Sequence, residues 1–94
     1  MALHLHLGHG ASGTAASMAP FVDGLLALGI SATAVDLPRR RAEDAVPAWR
    51  VAVPDGPGIA VGGHSYGGRV ASLAAAEPGT AYEALVLFSY PLHP

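Results

Sequence analysis

Ile59-Ala60-Val61-Gly62-Gly63-His64-Ser65-Tyr66-Gly67-Gly68-Arg69-Val70-Ala71-Ser72-Leu73-Ala74 is the stretch whose reading decides the fold. The apolar opening predicts a strand over Ile59 to His64, and the Ala-rich continuation predicts a helix over Tyr66 to Ala76. Glu77-Pro78-Gly79 then stops the helix. At the junction lies G-x-S-x-G, as Gly63-His64-Ser65-Tyr66-Gly67. A chain with 12 glycines can match that pattern by chance. Its place between a strand and a helix gives it meaning, because this is the order of a nucleophile elbow, a sharp turn that holds a strained serine. Small residues are needed on both sides so that the helix can approach the strand, and Gly62, Gly63, Gly67 and Gly68 supply that space. The N-terminus of the helix then points its positive end at the serine oxygen. The plainer alternative is a Gly-rich turn with a solvent-facing serine.

Outward from the elbow, β-like and helix-like runs alternate. Ala2 to Leu7 reads as a first strand, followed by the turn Gly8-His9-Gly10-Ala11-Ser12-Gly13. Met18, Phe21, Val22, Leu25 and Leu26 recur at helical spacing and predict a helix over Met18 to Leu28, with Ser17 as its N-cap, Pro20 in its first turn and Gly29 at its end. Ile30 to Val35 is a second strand. Asp36-Leu37-Pro38 and Arg39, Arg40 and Arg41 form a loop, and a helix over Ala45 to Val53 follows, capped by Asp44. Pro54-Asp55-Gly56-Pro57-Gly58 is a turn, and Ala84 to Phe88 is a fourth strand. The order βαβαβαβ predicts a three-layer α/β/α arrangement around a parallel sheet of about four strands.

In such a sheet, ligands sit at the C-terminal ends of the strands. If the first and third strands are neighbours, the His9-Gly10-Ala11-Ser12 loop meets the elbow there. Serine hydrolases use a backbone N–H from this loop and the N–H of the residue after the nucleophile as an oxyanion hole. The candidates are therefore Ser65 as nucleophile and Ala11 and Tyr66 as oxyanion donors. His9, Gly10, Gly63, His64, Gly67 and Tyr90 are expected to shape the site. Taken alone, His9-Gly10 is an ordinary turn.

Gly63 to Ser72, His9-Gly10, Asp36-Leu37-Pro38 and the ending Leu85-Val86-Leu87-Phe88-Ser89-Tyr90-Pro91-Leu92-His93-Pro94 together resemble the dienelactone-hydrolase-like branch of the α/β-hydrolase superfamily. That branch includes bacterial proteins and a related domain in a eukaryotic chromatin-complex subunit. The resemblance spans nearly the whole chain. It implies that residues 1–94 are a single, incomplete α/β-hydrolase domain, a partial fold covering the third to sixth strands of the full one. It also implies a serine hydrolase that acts on a small ester or similar acyl substrate without a cofactor, and further strands that would carry the triad acid and histidine. The chromatin-associated relative suggests a different class of function, a non-catalytic interaction domain.

Gly8-x-Gly10-x-x-Gly13 also fits a dinucleotide fingerprint, with Asp36 at the end of the next strand for a ribose and Arg39 or Arg40 for a 2′-phosphate. Against this NAD(P)-binding Rossmann alternative, the helix begins near Met18, too late for a pyrophosphate at Gly13, and the elbow goes unused. His4, His6 and His9 suggest a metal-site opening, but no later cluster adds ligands, so two strand histidines on one face are the expectation. After Ser65 the only acids and histidines are Glu77, Glu83 and His93. Glu77 belongs at the far end of its helix and Glu83 at the opposite sheet edge. His93 lies on the correct edge without an evident orienting acid, so no complete triad is expected here.

Composition narrows the class. The 94 residues are 51% hydrophobic and 13% charged, and the mean hydropathy is +0.38. That is a globular composition for one small domain. A net charge of −2 gives no reason to expect nucleic acid as a partner. Without cysteine there is neither a disulfide nor a thiolate metal site. No apolar run reaches the roughly 20 residues of a membrane span, and no signal-peptide pattern opens the chain. A soluble cytoplasmic protein is the expectation, with no cofactor, no metal and no membrane partner. The apolar Ala84 to Phe88 strand raises one further expectation, self-association through an exposed edge.

Overall fold

A computed structural model describes residues 3–88. Four strands, β1 (His4–Gly8), β2 (Ser31–Val35), β3 (Ile59–His64) and β4 (Ala84–Phe88), form one sheet in the order β2-β1-β3-β4. Every pairing is parallel. Each connection must therefore cross back over a sheet face, and three helices do so: α1 (Ala19–Ala27), α2 (Ala42–Ala52) and α3 (Tyr66–Ala76).

Side-chain alternation along the strands divides the core in two. Leu5, Leu7, Ala32 and Ala60 point to one face, where Met18 joins them and Phe21, Val22 and Leu25 of α1 pack. Val35 and Val61 point to the other face and meet Ala45, Val46 and Trp49 of α2 and Val70, Ala71 and Ala74 of α3. The result is the three-layer α/β/α architecture that the element order predicts. Trp49, Leu7, Met18, Val53, Val61 and Val70 are the largest fully buried side chains. Their burial on both faces is the main apolar stabilisation of the sheet.

Two helix starts differ from the sequence reading. Ser17 does not cap α1. A short 3₁₀ turn, Ala15–Met18, comes first, and Thr14 caps it: Ser17 Oγ accepts the Thr14 N–H and donates to the Thr14 carbonyl. A serine three residues after Thr14 serves as the return half of a capping box there. Asp44 likewise does not cap α2, which begins at Ala42 with Arg41 as its cap residue. Asp44 sits in the first turn and accepts from Arg41 Nε at 3.2 Å, where its charge still favours the helix N-terminus.

Register fixes what meets at the top of the sheet. Gly8 pairs with both Val35 and Gly63, and His64 pairs with Phe88. The turns after β1, β2 and β3 therefore leave the sheet side by side at its C-terminal edge.

Candidate functional site

Ser65 lies between β3 and α3 with φ 53° and ψ −111°. It is the one non-glycine residue with positive φ among the described residues. Such a backbone costs about 1–3 kcal/mol and persists only where neighbours over-determine it. Here the Ser65 N–H donates to the Phe88 carbonyl at 3.1 Å, and the Ser65 carbonyl accepts the Arg69 N–H at 3.0 Å. These bonds tie the serine to β4 on one side and to α3 on the other. Tyr66 is the first residue of α3, so its N–H has no intrahelical acceptor. Its ring packs on the α2/α3 core, and its hydroxyl donates to the Pro38 carbonyl at 3.0 Å.

The elbow sits directly on the loop that follows β1. A Cβ on Gly67 would overlap the Gly8 backbone and come within 2.6 Å of the His9 nitrogen. A Cβ on Gly63 would lie 2.7 Å from the Gly8 oxygen. These two glycines are therefore what let the start of α3 close down on β1. Past that contact, the Gly13 N–H donates to the Gly10 carbonyl at 3.0 Å and leaves Ala11 and Ser12 exposed at the tip of a turn.

His9 holds this turn from below. Only 2% of it is exposed. Its Nε2 accepts the Leu37 N–H at 2.9 Å, and its Nδ1 donates to the Gly10 carbonyl at 2.7 Å. A neutral ring with its proton on Nδ1 satisfies both partners. The loop after β2 thus touches three parts of the site through three successive residues. The Asp36 carboxylate accepts the Ala15 N–H at 2.7 Å, Leu37 holds His9, and Pro38 holds Tyr66.

Beside the elbow, on the α1 side, lies a cleft of about 380 Å³ lined by Gly10, Ser12, Gly13, Ser17, Met18, Phe21 and His64. His64 is turned towards it. Its ring centroid is 5.8 Å from that of Phe21, which in turn is 5.4 Å from that of Phe88. The structure so brings together Ser65, Tyr66, His9, Gly10, Gly63, His64, Gly67 and the turn that carries Ala11. Tyr90 and His93 lie outside the described residues.

This fold and elbow agree with a comparison to known families. The profile of the family described as alpha/beta hydrolase domain matches residues 2–94. The chain belongs to the alpha/beta hydrolase family. Neither curated proteins nor solved structures gave a match.

In this alpha/beta hydrolase domain, none of the described acids or histidines is placed as a triad partner of Ser65. Glu77 caps the far end of α3 and pairs with Arg50 at 2.8 Å. Glu83 accepts the Gly58 N–H at 2.9 Å, ahead of β3 and so at the opposite sheet edge. Both ring nitrogens of His9 are engaged.

The dinucleotide pattern has another use here. A Cβ on Gly8 would lie 2.8 Å from the Gly67 Cα, so the position serves the elbow, and Asp36 binds the Ala15 N–H. The helical segment after Gly13 opens as the 3₁₀ turn Ala15–Met18 before α1, and its first N–H, that of Ala15, is already taken by Asp36. His4 and His6 stack edge to face at 4.8 Å. The two His4 ring nitrogens bond the Ser31 and Thr33 hydroxyls at 2.5 and 2.6 Å. Burial, and then the charge of His4, lower the pKa of His6 from the ordinary 6.5. Among the described residues, no three His, Cys, Asp or Glu side chains are grouped to hold a metal, and no helix is long and apolar enough to cross a membrane.

Sequence reasoning missed the supporting roles of Asp36, Leu37 and Pro38, and it missed the cleft wall at Met18 and Phe21. An acid at the end of a strand was the visible signal for Asp36. For the Pro38 carbonyl there was none, because any residue type presents one.

Proposed function

We propose that this domain carries the nucleophile and oxyanion hole of a serine hydrolase that acts on esters or similar acyl substrates, in the manner of the dienelactone-hydrolase-like branch. The observation that carries this reading is the positive φ of Ser65 between a strand and a helix. Folding has no evident use for a strained serine at that point, whereas an elbow nucleophile requires it.

In this reading Ser65 Oγ attacks the carbonyl carbon while a histidine takes the hydroxyl proton. The tetrahedral oxyanion is held by the N–H groups of Tyr66 and Ala11, with the N-terminal end of α3 adding its dipole. Collapse expels the alcohol, which receives the proton from the histidine. Water then repeats the sequence on the acyl-serine and releases the acid. His9 and Pro38 contribute by fixing the two donors, Gly10–Ala11 and Tyr66, in place. We assign the general base and its acid to residues outside 3–88.

One observation favours a second reading, a non-catalytic interaction domain: among the described residues no histidine bonds the Ser65 hydroxyl. Hydrolysis of p-nitrophenyl acetate separates the two. Ser65→Ala is expected to cut turnover of the full-length protein by at least about a thousandfold. Equal turnover by the alanine variant, or none above background in either protein, contradicts the hydrolase reading.

A further inference from the structure

We propose that His4 and His6, in the N-terminal half of β1, form a two-imidazole site for a transition-metal dication. The two residues stand at alternate positions of the strand, so their side chains share one face of the sheet. Register places Ser31 and Thr33 beside them on β2, and Ile59 and Val61 beside them on β3. Val61 is fully buried in the core under α2 and α3, whereas Ser31 and Thr33 are exposed. The half-buried histidine pair thus lies at a border, with apolar core on one flank and solvent on the other.

The rings meet edge to face with centroids 4.8 Å apart, near enough for one nitrogen of each to reach a common ion after small side-chain rotations. His4 is oriented by two hydroxyls, Ser31 Oγ at 2.5 Å from Nδ1 and Thr33 Oγ1 at 2.6 Å from Nε2. A neutral ring has one N–H and one lone pair, so one hydroxyl accepts from it and the other donates to it. An ion takes the lone pair in place of the donating hydroxyl. The other nitrogen keeps its bond to oxygen, the contact that orients a ligating imidazole. The His6 ring makes no hydrogen bond among the described residues. Burial, and then the charge of His4, favour its neutral form, which leaves a lone pair for a metal.

The donor set selects the ion. Imidazole nitrogen suits Ni(II), Cu(II) and Zn(II), whereas Mg(II) and Ca(II) demand oxygen. Among the described residues no Asp or Glu joins the pair as a third ligand. The remaining coordination positions are therefore open to water or a small ligand.

The test is calorimetric titration of the 94-residue chain with Ni(II), with the site located by paramagnetic broadening of NMR signals. One saturable ion per chain is expected, and the signals of His4, His6, Ser31 and Thr33 should broaden first. Mg(II) should produce neither effect. His4→Ala and His6→Ala each remove one of two protein ligands and should weaken Ni(II) binding at least about tenfold. Ser31→Ala combined with Thr33→Val keeps both imidazoles and removes the hydroxyls that orient His4, and should cost about tenfold. Circular dichroism checks that each variant is folded. Absence of saturable Ni(II) binding by the parent chain overturns the proposal. So does an unchanged affinity in folded His6→Ala or in the Ser31/Thr33 variant, or broadening centred on His9 or His64. Binding is read without turnover, so an unreactive Ser65 would leave this site standing.

Discussion

Ser65 holds a backbone conformation that glycine adopts at little cost and an L-residue does not. If the chain keeps a side chain there for chemistry alone, stability should improve when it is lost to glycine. Ser65→Gly is expected to raise unfolding free energy by about 1 kcal/mol, and Ser65→Ala to leave it nearly unchanged, in urea denaturation. A destabilised glycine variant would show that the serine side chain stabilises the fold and that the turn is not strained. The strain itself was legible in the sequence, since four glycines around one serine between a strand and a helix imply it. The two bonds of His9 were not. A buried histidine and a histidine in an ordinary turn read alike until the Leu37 N–H and the Gly10 carbonyl are placed around the ring.

At the scale of elements, the sequence reading places β3, α3 and β4 at the bounds the structure shows. β3 and α3 have abrupt ends, at Gly58, at the elbow and at Pro78, where backbone restrictions punctuate the chain. The starts of α1 and α2 were less legible. Thr14, Ser17 and Asp44 are all acceptable caps, and local chemistry does not choose among them. Asp36 and the Thr14–Ser17 box decide the first case by bonding a 3₁₀ turn ahead of α1. Neighbouring strands β1 and β3 were stated as a condition, because parallel sheet order follows from packing across the whole chain and not from any one segment. With β1 paired to β3, the start of α3 closes on β1 through the contact of Gly67 with Gly8. Adding one methyl there pushes α3 off β1. Gly67→Ala is expected to cost about 3 kcal/mol, read as a lower denaturation midpoint. A midpoint within error of the parent would mean that α3 does not close on β1 as described.

For the whole molecule, β4 stands out at the edge of the sheet. Ala84 and Phe88 pack on the α1-side core, but Leu85, Val86 and Leu87 are 43%, 37% and 38% exposed, so both faces of the strand are only partly covered among the described residues. Its five residues carry no charge and no proline, the usual protection of an edge. Association of the 94-residue chain through paired β4 strands is the expected outcome. Light scattering should show mass rising with concentration, and Leu85→Lys should suppress the rise. A monomeric parent chain across the whole concentration range contradicts this. The α/β/α layering and the elbow were readable at this scale because both repeat a local pattern. The cleft was not, since its lining joins the stretch from Gly10 to Phe21 to His64, far away along the chain.

The most direct measurement on the central claim is labelling of the full-length protein with a fluorophosphonate, located by mass spectrometry of its peptides. The reagent forms a covalent bond with a hydroxyl that is activated as a nucleophile. One adduct is expected, on the peptide that carries Ser65, and it should disappear in Ser65→Ala. An adduct on any other residue, undiminished labelling of the alanine variant, or no adduct on Ser65 at all would contradict the assignment of Ser65 as the nucleophile.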